Sequence, residues 1–415
     1  MSLQPELSSS APGRLSGRVA VLVFLAFALG YFLSAVMRTV IATLSPALTQ
    51  EFGLQAADLG LLGGGFFLGF ASTQLLLGAW LDRYGPKRVL IGFLAIAVIA
   101  CLAFSLATDF AGLLAARFLL GVGLSACLMA PLTGFRCWYE PGDMLRANSW
   151  ILMMGSLGMV AATLPVQWLL PLMGWRPMFW VMALLLLLTI GLLGWLVPGH
   201  APHAPEPGGA VGYAQVWRSP AFQRLLPFSF FIHGGLLGLQ TLWLGPWLTR
   251  VVGVSPLQAA AGLFSVNLAS LLAFSIWGLV MPGLTRRGWK VDRLLALIVP
   301  LVLAVLATNT LLGSRADWPL WALFIALGSV VSLAQPALSM TFPPSLAGRA
   351  LTAYNLVCFL GIFCMQWGIG LLIDALLALG WSQQASFQGA FAVYLCCCLA
   401  SFAFYRYART DNSVS

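Results

Sequence analysis

Apolar residues run through this chain in long, nearly unbroken stretches, without the alternation of a half-buried strand or the narrow stripe of a surface helix. A stretch of about 20 apolar residues crosses the ~30 Å hydrocarbon core of a bilayer as a helix. Helix is the form required, because backbone groups in lipid must bond within their own segment. Twelve spans are predicted, at roughly 19–46, 57–80, 88–107, 109–133, 147–171, 177–197, 225–251, 258–282, 291–312, 317–340, 350–376 and 387–407. The tightest separation lies between the third and fourth, where Thr108 and Asp109 form nearly the whole connection. The fold class is therefore all-α and integral to a membrane. Its expected organisation is a tail (1–18), a six-helix bundle (19–197), a linker (198–222) rich in Pro, Gly, Ala and His, a second six-helix bundle (223–408) and a short tail (409–415).

Composition agrees: 60% of residues are hydrophobic, 8% are charged and the mean hydropathy is +0.93, against about 45–50% apolar in soluble domains. The net charge of +9 invites a nucleic-acid partner until its distribution is considered. Sixteen of the 21 Lys and Arg fall on the side of the predicted topology that holds the termini. Arg176, Arg250 and Arg315 fall on the other side, and Arg38 and Arg117 lie within spans. That asymmetry is the positive-inside rule. It sets topology, places both termini in the cytoplasm of a bacterial-type inner membrane, and argues against nucleic-acid binding.

The eight cysteines lie in or beside spans, so no disulfide framework is indicated. The apolar run after Arg18 is too long for a cleavable signal. No loop is large enough for an enzyme domain, and no phosphate-binding loop, His-Glu metal motif or catalytic triad is present. Neither catalysis nor a cofactor is expected. Met153, Met154 and Met159 with Cys396, Cys397 and Cys398 raise a minor copper reading. Adjacent cysteines on a helix point in different directions, and both residue types are common apolar fillers, so no metal site is expected.

Two charged loops repeat at a fixed distance. Gly78-Ala79-Trp80-Leu81-Asp82-Arg83-Tyr84-Gly85-Pro86-Lys87-Arg88 follows the second span, and Gly283-Leu284-Thr285-Arg286-Arg287-Gly288-Trp289-Lys290 follows the eighth. Gly85 and Gly288 stand 203 residues apart, as do Arg146 and Arg349 before the fifth and eleventh spans. One gapless register at two distant places favours a duplicated six-helix unit. The alternative is a polytopic protein with recurring basic loops.

The first of these loops resembles the signature hairpin of the major facilitator superfamily of transporters. Further likeness lies in Arg117-Phe118-Leu119-Leu120-Gly121-Val122-Gly123 with Pro131, and in Gly174-Trp175-Arg176 ahead of Phe179. The resemblance implies two pseudo-symmetric bundles that rock about a central small-molecule site, acting as a monomer in the lipid bilayer. It also implies a latch: Asp82 meets the positive N-terminal end of the eleventh helix, near Arg349, when the site faces outward. Gly78, Arg83, Gly85, Lys87 and Arg88 belong to that hairpin, although Lys87 and Arg88 read equally as topology signals at the headgroups. The fifth span, Gly155-Ser156-Leu157-Gly158 through Pro165, has the glycine spacing of close packing. It lacks the Gly-Pro ending usual in drug antiporters.

Polar residues inside spans are the candidates for chemistry. A central arginine costs about 2.5–3.5 kcal/mol on insertion scales, so Arg38 requires a cavity, a partner or escape to the interface. Gly30-Tyr31-Phe32, Arg38 and Pro46 resemble the first helix of the organophosphate and organic-anion branch, where the arginine binds the substrate's negative group. Thr241 stands where that branch often has a second cation, which favours a monoanion over a doubly charged phosphate ester. Tyr31, Gln74, His233, Gln240, Trp243, Asn267, Tyr354, Asn355 and Gln366 are further lining candidates, each with the competing reading of an interhelix hydrogen bond. No Asp or Glu occupies the middle of a span; Asp58 and Asp374 lie near outer ends. Arg117 and His233 are then the candidates for coupling to protons, and exchange against a counter-anion stays open. Uptake or exchange of an organic anion is the expectation. Export of a drug or metabolite is the alternative, followed by a sensor or assembly factor on the same fold.

Overall fold

The computed structural model describes residue 15, residues 17–199 and residues 209–408. Residues 1–14, 16, 200–208 and 409–415, which include most of the expected tails and part of the linker, lie outside the described residues. The described chain is helical, with no strand among the described residues.

Among the described residues eleven helices are long and apolar enough to cross a membrane, and a bent pair makes the twelfth. They are α1 (Gly17–Phe52), α2 (Ala56–Tyr84), α3 (Pro86–Leu106), α4 (Phe110–Trp138), the two-part α5 (Pro141–Ala161 and Leu164–Met173) and α6 (Trp175–Leu196). The second half holds α7 (Pro220–Val252), α8 (Pro256–Arg286), α9 (Val291–Leu312), α10 (Trp318–Ser339), α11 (Pro344–Ala378) and α12 (Gln383–Tyr407). All twelve predicted spans are present. α11 starts ahead of the expected point near Arg349. α5 bends by 46° because Pro165 has no N–H to give and its ring crowds the preceding turn. α7 contains three wide π-helical stretches, Phe228–His233, Leu239–Trp243 and Trp247–Val252; such turns re-aim side chains and gather at functional places.

Connections are short. Asp109 caps α4, its carboxylate accepting the Gly112 N–H at 2.7 Å. The α2–α3 turn works because Gly85 adopts φ +77°, a conformation other residues resist. Gly288 at the repeat-equivalent position has φ +78°, in a longer connection that runs from Arg287 to Lys290. An even number of crossings puts both described chain ends on one face, here called the terminus side, with the far side opposite.

Each half is tied at its helix ends. In the first, Glu51 at the end of α1 accepts the Trp175 indole N–H at 2.7 Å and pairs with Arg176, which also donates to the Ala107 carbonyl at 3.1 Å. Three helices are clamped on the far side. In the second, Arg224 donates to the Tyr405 carbonyl at 2.7 Å and to Asp292 at 3.0 Å, and the Tyr405 hydroxyl donates to Asp292 at 2.9 Å. That clamp sits on the terminus side. Inside the first half α2 and α4 touch backbone to backbone, since a methyl at Gly69 would overlap the Phe118 carbonyl and one at Gly121 the Phe66 carbonyl.

The halves meet on the far side. A methyl at Gly60 would overlap the Gln366 carbonyl, one at Gly370 the Ala56 carbonyl, and one at Gly245 would lie 2.5 Å from the Ala42 carbonyl. Arg250 on α7 donates to Thr49 Oγ1 on α1 at 3.1 Å. On the terminus side a different element bridges α2 and α11. The described part of the expected flexible linker is a helix, Gly209–Arg218, and its Tyr213 hydroxyl lies 3.0 Å from Thr352 Oγ1 and 3.5 Å from the Leu75 carbonyl. The far side is shut, and the terminus side is spanned by the linker helix.

Candidate functional site

α4 carries a buried cation that fixes α1. Arg117 is 0% exposed. Its guanidinium donates to the Met37 carbonyl at 2.7 Å and to the Arg38 carbonyl at 3.5 Å, and lies over the Phe66 ring at 4.7 Å. Carbonyl dipoles and an aromatic face replace the hydration that burial removes. Among the described residues no carboxylate pairs with it. In this conformation Arg117 is a strut that holds the α1 backbone where Arg38 leaves it.

Arg38 is the opposite case. Its side chain is half-buried and reaches the seam, with the guanidinium 5.6 Å from the Phe70 ring centre on α2. Phe70 in turn lies 4.4 Å, centre to centre, from Phe359 on α11. The arginine thus stands where both halves contribute a wall. Its Nε is buried with no hydrogen-bond partner, and among the described residues no acceptor meets the rest of its fork. The acids of the described chain lie at or near helix ends, away from this level. A partly desolvated cation without a counter-charge is unfavourable, and an anion brought to it recovers that cost.

The other sequence candidates divide into pairs. His233 Nδ1 lies 3.0 Å from the Tyr354 hydroxyl. Gln240 donates to Asn267 at 3.0 Å, and Asn267 donates to the Leu263 carbonyl at 2.8 Å. Gln366 donates to Thr241 Oγ1 at 3.0 Å and to the Gly238 carbonyl at 3.1 Å, leaving its buried Oε1 unbonded. Trp243, expected on a cavity wall, is fully buried against Phe387 and donates to the Gln366 carbonyl at 3.1 Å. Asn355 accepts from Gln335 at 2.7 Å. Gln74 bonds within its own helix to the Phe70 carbonyl at 3.2 Å, and Tyr31 is buried against Gly155. The second-half polar residues therefore hold α7, α8, α10 and α11 together. Phe70, Phe359 and Gln335 were not singled out from sequence; the two phenylalanines stand in apolar runs that give no sign of a wall, while Gln335 is a polar residue in a span.

The hairpin is also resolved residue by residue. Asp82, Arg83 and Arg88 are exposed, Arg83 lies over the Tyr84 ring at 5.3 Å, and Gly78 faces open space. Among the described residues no ion pair joins Asp82 to the start of α11. Lys87, expected at the headgroup level, donates its Nζ to the Gly194 and Val197 carbonyls, each at 2.7 Å, and so caps the end of α6.

Comparison with known proteins agrees with this architecture. The sequence profile of the Major Facilitator Superfamily matches residues 27–365. A 3-(3-hydroxy-phenyl)propionate transporter of Escherichia coli K12 is 28% identical over 251 residues, 57% of this chain and 59% of that protein. A 4-hydroxybenzoate transporter of Acinetobacter baylyi is 27% identical over 387 residues, covering 82% of this chain and 81% of its own. The chain spans between 55% and 64% of the length of several further relatives. Among solved structures, a bacterial homologue of the human lysosomal transporter Spinster, in an inward-facing and unoccupied conformation, superposes with a TM-score of 0.74. It shares 19% identity and covers 95% of this chain and 98% of its own.

Proposed function

The chain belongs to the Major Facilitator Superfamily, and from that premise we propose that it carries a small organic anion across a bacterial inner membrane by alternating access. The observation that carries this reading is the unpaired Arg38 guanidinium at the seam of the two halves. A carboxylate fits a planar fork, and the packed Phe70 and Phe359 rings beside it make the surroundings aromatic. One unpaired cation suits one negative charge. Aromatic monocarboxylates satisfy both conditions, and relatives named for hydroxyphenylpropionate and 4-hydroxybenzoate support that class. The basic asymmetry of the loops puts the terminus side in the cytoplasm, so the closed far side faces outward and Asp82 belongs to a latch for the opposite state.

Purified protein in liposomes tests the reading directly. Labelled 4-hydroxybenzoate is expected to enter and to exchange with unlabelled anion inside. Accumulation of an amphiphilic cation in place of the anion would favour export of drug-like molecules. Specific anion binding with no flux would favour a sensor.

Coupling to protons points to His233, an imidazole able to bind and release a proton, whose ring meets Tyr354 across α7 and α11. His233→Gln keeps a polar group there without a proton to carry. The expected result is normal anion exchange with uptake no longer driven by an inward pH gradient. Gradient-driven uptake that survives the substitution would remove His233 from the mechanism.

A further inference from the structure

α2 and α11 run antiparallel along the seam, and their register can be followed contact by contact. Ala56 lies against Gly370, Gly60 against Gln366, Gly64 against Phe363, and Phe67 and Phe70 against Phe359. Continued along both helices, that register sets Asp82 opposite the first turn of α11. At the far end the same relation is already made, with the roles of the helices reversed. The Asp374 carboxylate, in the last turns of α11, accepts the backbone N–H of Ala56 at 3.1 Å and of Ala57 at 2.6 Å, in the first turn of α2.

We propose that Asp374 is the far-side latch of the protein, and that it and Asp82 act in opposition, each holding the N-terminus of the other's helix in one of the two states. This inference rests on the two-state rocking proposed above. The N–H groups at a helix start have no partner within the helix, and the helix dipole favours a negative charge there. The bond is made between the halves, so the far side cannot open without breaking it. Nor does α2 need it as an ordinary cap. Asp58 already accepts the Gln55 N–H at 3.0 Å at the same helix start. Asp374 takes two further donors, and among the described residues it has no ion pair of its own. Opening the far side strips it of both bonds, while closing the terminus side brings Asp82 to α11. The balance between states is then the difference between two similar contacts, which keeps either state from becoming a trap.

The test measures distances in full-length protein without substrate, so it does not depend on transport. Spin labels at Leu172 and Leu257 report the far side and labels at Arg136 and Thr341 the terminus side, with the exposed native cysteines Cys137 and Cys396 replaced by serine. Asp374→Asn is expected to shift the ratio of far-side-open to far-side-closed molecules upward by about tenfold, the weight of a charge at a helix N-terminus. Ala56→Pro removes one donor and leaves the charge; Gln55 already has the extended backbone that a following proline requires. It should shift the ratio in the same direction. Adding Asp82→Asn to Asp374→Asn should bring the ratio back. Far-side distances that stay unchanged in both Asp374→Asn and Ala56→Pro, in protein that elutes and melts normally, would overturn the proposal. Shifted distances in a protein that shows no flux would overturn the transport reading and leave the latch standing.

Discussion

Replacing Arg38 by glutamine is expected to abolish stabilisation by anions while leaving the ligand-free protein as stable as before, or more so. The two effects have one cause. In the ligand-free state the guanidinium is partly desolvated, its Nε is buried without a partner, and only the Phe70 face offsets its charge. Removing such a cation relieves a cost. In the ligand-bound state the same fork supplies charge-assisted bonds to a carboxylate, and losing one side of a desolvated pair costs about 2–5 kcal/mol. That corresponds to a loss of affinity of about 30-fold to several thousandfold. Arg38→Lys keeps the charge and loses the planar fork, so it should fall between the two. A thermal-melting titration with 4-hydroxybenzoate checks all three proteins. A midpoint that rises with ligand as steeply in Arg38→Gln as in the parent would remove Arg38 from the site. A ligand-free midpoint that falls by many degrees would mean that the arginine is structural and has a partner.

Arg38 was legible in the sequence because a cation in an apolar run must find a cavity, a partner or the interface. What it lacks, a partner, is visible only in three dimensions. Arg117 looked equally suspicious, yet its partners are the carbonyls of Met37 and Arg38, and backbone acceptors have no signature in a sequence. Gln240, Asn267, Thr241 and Gln366 illustrate the same gap. Sequence identifies residues that must find a hydrogen bond inside a membrane; it does not say whether they find a ligand or each other, and here they largely find each other. The hairpin turn was readable to the residue, since Gly85 and its repeat mate Gly288 adopt nearly the same φ. Lys87 was not, because the end of α6 that it caps lies more than a hundred residues away. Asp374 escaped notice as a contact because an acid near a helix end is ordinary until the helix start beside it belongs to the other half.

Gly60→Leu is expected to stop transport almost completely while the protein still folds. The position has no room, because a side chain there meets the carbonyl of Gln366 on α11. A backbone carbonyl inside a helix cannot rotate away as a side chain would, so α2 and α11 must separate. Gly370 and Gly245 make the same kind of approach to Ala56 and Ala42, so backbone meets backbone at three places in the far-side closure. Overpacking of this type costs about 1–3 kcal/mol or more where the surroundings can adapt. Here the cost falls on one state alone, since opening the far side removes the overlap. A bias of about 3 kcal/mol multiplies the ratio of open to closed by more than a hundredfold, and a carrier that cannot close its far side cannot complete a cycle. Gly121→Leu provides the contrast. Its neighbour, the Phe66 carbonyl, lies within the same half, so the overlap persists in every conformation and should appear as lost yield and a lowered melting midpoint. Uptake into liposomes and thermal melting of both variants separate the two cases. If Gly60→Leu transports at the parent rate, the far-side contact is not part of the cycle. If it melts as poorly as Gly121→Leu, the seam is a fixed core, and the two halves do not move as separate bodies.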